Sequence, residues 1–318
     1  MPQDTKTGSP ADVVGVLDTS AMDCVQANMA LVADHLLGPG SHAGLGAPVR
    51  FMPRDRPGDL PTVEPTVTEH ARVLRDLVGV DIAEPTDGLR AATALEALHR
   101  GSRLLFVVAD AYSLPWCPYF VRQHMSHTFV LTPHERLQDR VRVWDAYDNE
   151  TPFGRARPGG WTMTPNEVSR ILDGARPVRA GTVTVLPGHV TPDPGDVLRR
   201  NAEALTGTGT RAVEEYVSAY RDHPDRRRAA EALLLETWLL ARSRRLHHTW
   251  LTTLPAGTAG AAGVRAQAEQ ADAWQEFAGR CYLAARRVRR GRPEPARLHE
   301  RFAQLLTRDA ELARRLAA

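Results

Sequence analysis

Three cysteines, Cys24, Cys117 and Cys281, are spread over 318 residues, and there are no others. They are too few and too scattered for a disulfide framework, and none lies at paired zinc-ligand spacing, so no metal is expected. A reducing, cytoplasmic setting fits that thiol poverty. Long hydrophobic runs are also missing. Residues 1–12, MPQDTKTGSPAD, contain no apolar core and do not make a signal peptide, and the most apolar later run, Leu233 to Ala241, is short and broken by Glu236. The reading is therefore a soluble intracellular protein with no membrane partner. Apart from Lys6, every Lys-or-Arg position is arginine, which together with abundant alanine reflects a GC-rich coding bias more simply than it reflects a mechanism. No basic–aromatic interleaving or nucleic-acid-binding motif accompanies those arginines, and nucleic acid is not an expected partner.

What is present is an ordinary globular mixture, 42% hydrophobic and 25% charged, long enough for two domains. The net charge of +2 is unevenly divided: residues 196–318 hold 22 Arg against 15 Asp and Glu, a balance of +7, which leaves −5 for residues 1–195. The runs Arg226-Arg227-Arg228, Arg242-Ser243-Arg244-Arg245 and Arg286-Arg287-Val288-Arg289-Arg290 read as solvated helix faces, with steering of an acidic partner as the functional alternative. Pro187 to Gly195 concentrates prolines and glycines and marks the domain boundary, giving a mixed domain over 1–190 and an all-helical one over 196–318.

Within the first domain, helices are expected from Cys24, over Thr68 to Val78, over Asp87 to Arg100 and over Pro165 to Leu172. Val49 to Met52 reads as a short strand, Leu104 to Ala109 as a buried strand and Gly181 to Leu186 as a closing strand. Thr128 to Leu131 and Val141 to Trp144 read as an antiparallel hairpin. Beyond residue 196, apolar spacing of three and four predicts helices over Val197 to Leu205, Arg211 to Arg221, Pro224 to Leu246, Gln267 to Arg290 and Glu294 to Ala317.

Chemistry concentrates on Cys24. Asp18, Thr19 and Ser20 supply capping chemistry, and Met22, Val25, Met29 and Val32 recur at helical spacing, placing the thiol in the first turn of a helix, where the dipole and unpaired N–H groups favour negative charge. A thiol nucleophile needs a base, and the base an orienting partner. His127 opens one hairpin strand and Asp145 closes the other, so the antiparallel geometry brings them together. His124 is a rival base in a polar segment, and Asp148 and Asn149 are rival orienters. Asp110 and Tyr112 are candidate acyl-pocket residues, with a turn aspartate and a packed tyrosine as the plainer alternatives, and Gln26 is a candidate substrate contact, with a solvated helix position as its alternative. Cys117 and Cys281 read as packing. Neither His124 with His127 nor His247 with His248 brings a third metal ligand.

Asp23-Cys24 at a helix start, the Gly44-Leu45-Gly46 loop, Asp110-Ala111-Tyr112-Ser113-Leu114-Pro115 after a buried strand, His127-Thr128-Phe129-Val130 and Trp144-Asp145 together resemble the papain-like cysteine acyltransferases typified by the butirosin-pathway aminoacyltransferase. The resemblance covers roughly residues 15–190. It implies an α+β papain-like domain followed by the helical domain, with Cys24, His127 and Asp145 as catalytic residues. It further implies transfer of an acyl or aminoacyl group from the phosphopantetheine thioester of an acyl or peptidyl carrier protein, through acyl-Cys24, to a small amine or hydroxyl acceptor in natural-product biosynthesis. The chain would carry no cofactor of its own. Residues 15–23 contain no glutamine to line an oxyanion hole, so the Cys24 N–H would serve with a second donor unassigned. The competing readings are a hydrolase using the same triad, acting as thiol peptidase, amidase or thioesterase, and a non-catalytic carrier-binding protein in which Cys24 is merely buried.

Overall fold

A computed structural model describes residues 10–83, 86–87, 91–99, 104–134, 136–137, 139–173 and 178–318. The chain is mixed α+β and divides into two compact units, one of residues 1–45 and 66–191, the other of residues 46–65 and 192–318. The second break falls in the Pro/Gly-rich stretch that the sequence marks as a boundary. The assignment of residues 46–65 to the helical unit departs from the sequence reading, which left them in the first domain.

The first unit opens with a short helix, α1 (Pro10–Val14), and then α2 (Cys24–Leu37). Asp23 caps α2 by accepting from the Gln26 N–H at 2.8 Å, and Gln26 returns its amide oxygen to the Asp23 N–H at 3.4 Å, closing a capping box. Helix α3 (Val67–Val78) starts the same way from Thr66 and Glu69 and ends at Gly79, whose φ of 85° is the left-handed conformation that glycine adopts most cheaply. There follow β1 (Val80–Ile82), β2 (Thr86–Asp87), α4 (Ala91–His99), β3 (Leu105–Asp110), β4 (Ser126–Pro133), β5 (Val141–Asp145), β6 (Asn149–Thr151), β7 (Gly154–Ala156), β8 (Gly159–Met163), α5 (Pro165–Leu172) and β9 (Arg179–Val185). In the helix expected from Asp87 to Arg100, Leu89 and Arg100 lie outside the described residues, and Asp87 pairs in β2 instead.

The main sheet runs β1-β9-β3-β4-β5-β8, antiparallel throughout, with β2 also on β9, while β6 and β7 pair separately. All six residues of β3 are buried, so both of its faces are covered. Leu105, Val107, Phe129 and Leu131 pack one face against Leu95 and Leu98 of α4 and Val168 and Ile171 of α5. Full burial of each such side chain stabilises by about 1.5–3 kcal/mol. Thr128, which points to the opposite face, bonds Asn28 of α2 through its carbonyl at 2.8 Å. In β8, Gly160 lies across from Trp144, whose ring occupies the space a Cβ would need.

The second unit carries α6 (Pro194–Gly207), α7 (Gly209–Arg221), α8 (Arg226–Thr253), α9 (Ala261–Arg289) and α10 (Leu298–Leu316). The strand expected at Val49 to Met52 does not form. Val49 and Phe51 instead join the helical core with Tyr216, Leu233 and Phe302, and side chains satisfy the backbone here: Asn201 bonds the Val49 N–H and the Ala47 carbonyl, and Thr208 donates to the Phe51 carbonyl. Glu236 breaks its apolar run for a reason in this segment. Its buried carboxylate accepts from Thr62 Oγ1 and the Val63 N–H at 2.7 Å each and from the Tyr216 hydroxyl at 2.6 Å.

One ion pair lies inside this core. Arg244, 1% exposed, donates from Nε and Nη2 to Asp309 Oδ2 at 2.8 and 2.6 Å, while Oδ1 accepts from Gln270 at 2.6 Å and Trp274 at 3.0 Å. Removing the carboxylate strands a buried charge and two further donors. Asp309→Ala is therefore expected to cost about 3–5 kcal/mol, read as a lower urea midpoint.

Candidate active site

Cys24 is the first helical residue of α2 and is half-buried. Its cap is braced from α3, since His70 Nε2 lies 3.3 Å from Asp23 Oδ2. Burial works against the Asp23 carboxylate, but His70 and the N–H groups of Val25 and Gln26 outweigh it and hold its pKa below the usual value. The same helix anchors the glycine-rich loop: Asp34 accepts from the Gly40 N–H at 3.2 Å and the His42 N–H at 2.9 Å, and sits 2.8 Å from His42 Nδ1.

Three residues that the sequence separates widely meet here. The His127 ring hydrogen-bonds the Cys24 side chain, and its Nε2 donates to Asp145 Oδ2 at 2.6 Å, which leaves Nδ1 for the thiol. Both members of the pair are buried, His127 at 2% exposure and Asp145 at 4%. Burial opposes protonation of His127, but the Asp145 charge and hydrogen bond, reinforced by Cys24, raise its pKa well above 6.5. Burial likewise opposes ionisation of Asp145, and His127, the Tyr147 N–H and Asn28 overcome it, so its pKa falls below 3.8. The arrangement is a thiol, a base poised to be cationic, and a carboxylate that fixes which nitrogen of that base faces the thiol.

Around these three stands a second set that the sequence did not reveal. Asn28, fully buried one turn into α2, donates from Nδ2 to Asp145 Oδ1 at 3.1 Å and to the Thr128 carbonyl at 2.8 Å, and accepts the Ala146 N–H at 3.0 Å. Trp116 Nε1 donates to Asp145 Oδ2 at 3.0 Å, and the Tyr147 N–H to Oδ1 at 3.0 Å. Thr128 Oγ1 donates to the Cys24 carbonyl at 2.6 Å. Asn28, Trp116, the Tyr147 N–H and His127 thus fill both oxygens of Asp145. Trp116 stacks on Trp161 and meets Phe129 edge-on, while Tyr147 lies edge-on to His127, so the pair is walled by aromatic rings.

The other candidates fall elsewhere. Gln26, read as a substrate contact, has its amide oxygen in the capping box, because a polar residue at the third helical position can reach back to the cap. Asp110 caps the short 3-10 turn Ala111–Ser113 and pairs with His124, and Tyr112 stacks on His124; neither residue hydrogen-bonds Cys24. Asp148 binds Arg155 through both oxygens, and Asn149 donates to the Tyr147 hydroxyl, so neither orients His127. Cys117 is buried, and burial pushes its thiol up. Cys281 is buried too, its thiol raised to about 12. His247 is buried against the Gly46 carbonyl, and burial lowers its pKa to about 4. Among the described residues, no group of three or more His, Cys, Asp or Glu is placed to hold a metal ion, and no helix is long and apolar enough to cross a membrane.

Comparison with known proteins finds no matching family model and no matching curated protein.

Proposed function

We propose that this chain is a cysteine-dependent acyltransferase that moves an acyl or aminoacyl group from a carrier-protein thioester to a small amine or hydroxyl acceptor. The observation that carries this reading is the thiol at a capped helix start, bonded to a buried imidazole that in turn is held at 2.6 Å by a buried, fully hydrogen-bonded carboxylate. In acylation, the Cys24 thiolate attacks the thioester carbonyl and the oxygen takes up negative charge beside the Cys24 N–H. The tetrahedral centre then collapses, the C–S bond to the donor breaks, and His127 gives its proton to the departing thiol. In deacylation, an acceptor attacks acyl-Cys24, His127 takes the acceptor's proton and Cys24 leaves as thiolate.

The likeness to papain-like acyltransferases supports a thioester donor borne on phosphopantetheine and a place in natural-product assembly. Positive charge in residues 196–318 favours an acidic carrier protein. Incubation with an acyl-pantetheine thioester is expected to give an intact-mass adduct of one acyl group, mapped by peptide analysis to Cys24 and absent from Cys24→Ala. Labelling at Cys117, or equal turnover by Cys24→Ala, overturns the mechanism. Adding amines and measuring amide against free acid then separates transfer from hydrolysis.

A further inference from the structure

A second histidine–carboxylate pair stands at the same end of the sheet as the first. His124 Nδ1 lies 2.5 Å from Asp110 Oδ2, and Asp110 Oδ1 accepts the N–H groups of Tyr112 at 3.2 Å and Met125 at 3.1 Å. The carboxylate is buried, at 6% exposure, whereas the His124 side chain is 44% exposed. Tyr112 stacks on the ring, centroids 4.2 Å apart and planes 15° apart, and fixes its plane. An imidazole held through Nδ1 by a carboxylate presents an unprotonated Nε2 when neutral, which is how a general base is oriented.

The pair also adjoins the strand positions whose residues reach the thiol. Asp110 of β3 lies directly opposite Ser126 of β4, and Ala109 opposite His127. Side chains alternate along a strand, so Asp110 shares its face with Thr128, a diagonal neighbour at about 7–8 Å. Thr128 is the residue whose hydroxyl reaches the Cys24 carbonyl at 2.6 Å. His124 and His127 are three residues apart, so their Cα atoms are separated by at most about 11 Å. The loop between β3 and β4 joins the two pairs: Tyr112 packs on His124, and Trp116 bonds Asp145.

The chemistry of an amine acceptor gives such a group something to do. A primary amine arrives as an ammonium ion, which must lose one proton before it can attack and a second after the C–N bond forms. His127 can take only one. We propose that His124, oriented by Asp110, is the base that removes the first proton from an ammonium acceptor, which makes a primary amine the acceptor class of this site. This rests on the acyl-transfer reading. His124 Nε2 takes a proton from R–NH3+, and the imidazolium so formed faces the Asp110 carboxylate. The freed lone pair attacks acyl-Cys24, the C–N bond forms and the carbonyl electrons move to oxygen. Collapse breaks the C–S bond, Cys24 leaves as thiolate, His127 takes the second proton, and His124, being exposed, returns its proton to water.

The test separates the two half-reactions. With an acyl-pantetheine donor, the burst of released pantetheine thiol reports on Cys24 and His127. Transfer is then followed to ethylamine, an ammonium ion at neutral pH, and to methoxyamine, which is neutral there. His124→Gln is expected to retain the thiol burst, to slow transfer to ethylamine about 100-fold and to change transfer to methoxyamine little. Asp110→Asn is expected to show the same selectivity for the charged amine more weakly. Equal slowing with both amines, or no slowing with either, overturns the proposal. A wild-type protein that shows no thiol burst instead overturns the acyl-transfer reading, and this inference with it.

Discussion

His127→Ala is expected to slow acylation of Cys24 by about 10⁴-fold or more, because members of a catalytic triad act as a unit and losing the base removes most of what the set contributes. The ring has two jobs that no neighbour duplicates. One nitrogen bonds the thiol and the other bonds Asp145 at 2.6 Å, so its loss leaves Cys24 without a proton acceptor and the donor thiol without a proton. Two other imidazoles are held by carboxylates, His70 by Asp23 through Nε2 and His124 by Asp110 through Nδ1. The measurement is the single-turnover rate of thiol release from an acyl-pantetheine donor, with folding checked by far-UV circular dichroism. A rate within tenfold of wild type would show that the thiol works without this base; tenfold corresponds to about 1.4 kcal/mol of barrier.

Much of this constellation was legible because it follows local rules. An apolar period of three and four from Met22 announces a helix that holds Cys24 in its first turn, although the cap is Asp23 and not Asp18, Thr19 or Ser20: Asp18 accepts the Ser20 N–H and Thr19 donates to the Ala146 carbonyl. Two apolar runs joined by a polar stretch announce a hairpin, and antiparallel pairing brings His127 beside Asp145 although they are 18 residues apart. What stayed hidden depends on contacts between distant segments. Asn28 reads as one polar residue inside a helix, yet its partners are Thr128 and Asp145, 100 and 117 residues away. Trp116 and His70 carried no local sign of serving a carboxylate.

The fold shows the same division. Residues 149–163 form three short strands, and no alternation of apolar and polar residues longer than Trp161-Thr162-Met163 marks them: β6 is Asn-Glu-Thr, β7 is Gly-Arg-Ala, and β8 begins with two glycines. Val49 to Met52 has strand-like composition, but its neighbours are helices. Asn201 and Thr208 satisfy its backbone while Val49 and Phe51 fill the helical core, so tertiary packing overrode β propensity. Glu236, an apparent interruption, is the residue that ties segment 46–65 down.

Asp145→Asn is the substitution that best separates orientation from charge, and it is expected to lower turnover about 10⁴-fold. Every group facing this carboxylate is a donor: Trp116 Nε1 and His127 Nε2 on Oδ2, Asn28 Nδ2 and the Tyr147 N–H on Oδ1. An amide must turn its NH2 toward one of these pairs. If it faces Oδ2's partners, His127 has to accept through Nε2, its proton moves to Nδ1, and the nitrogen facing Cys24 can no longer take a proton. If it faces Oδ1's partners, Asn28 and Tyr147 lose an acceptor in a buried site. Either way folding stability also drops, by about 3 kcal/mol. The sign of its pH dependence follows from the two shifts. Asp145 is held below 3.8, so its contribution is present above that value and is lost as pH falls through the lower, folded value. His127 is raised above 6.5, so its contribution is complete below 6.5 and is lost as pH rises through the folded value. The stability gap between wild type and Asp145→Asn, measured by urea unfolding, should therefore be widest between 3.8 and 6.5 and narrow toward both acid and base. A gap that fails to narrow both as pH falls below 3.8 and as it rises above 6.5 would mean that the pair is not ionised in the folded protein, and the thiolate–imidazolium mechanism would lose its electrostatic basis.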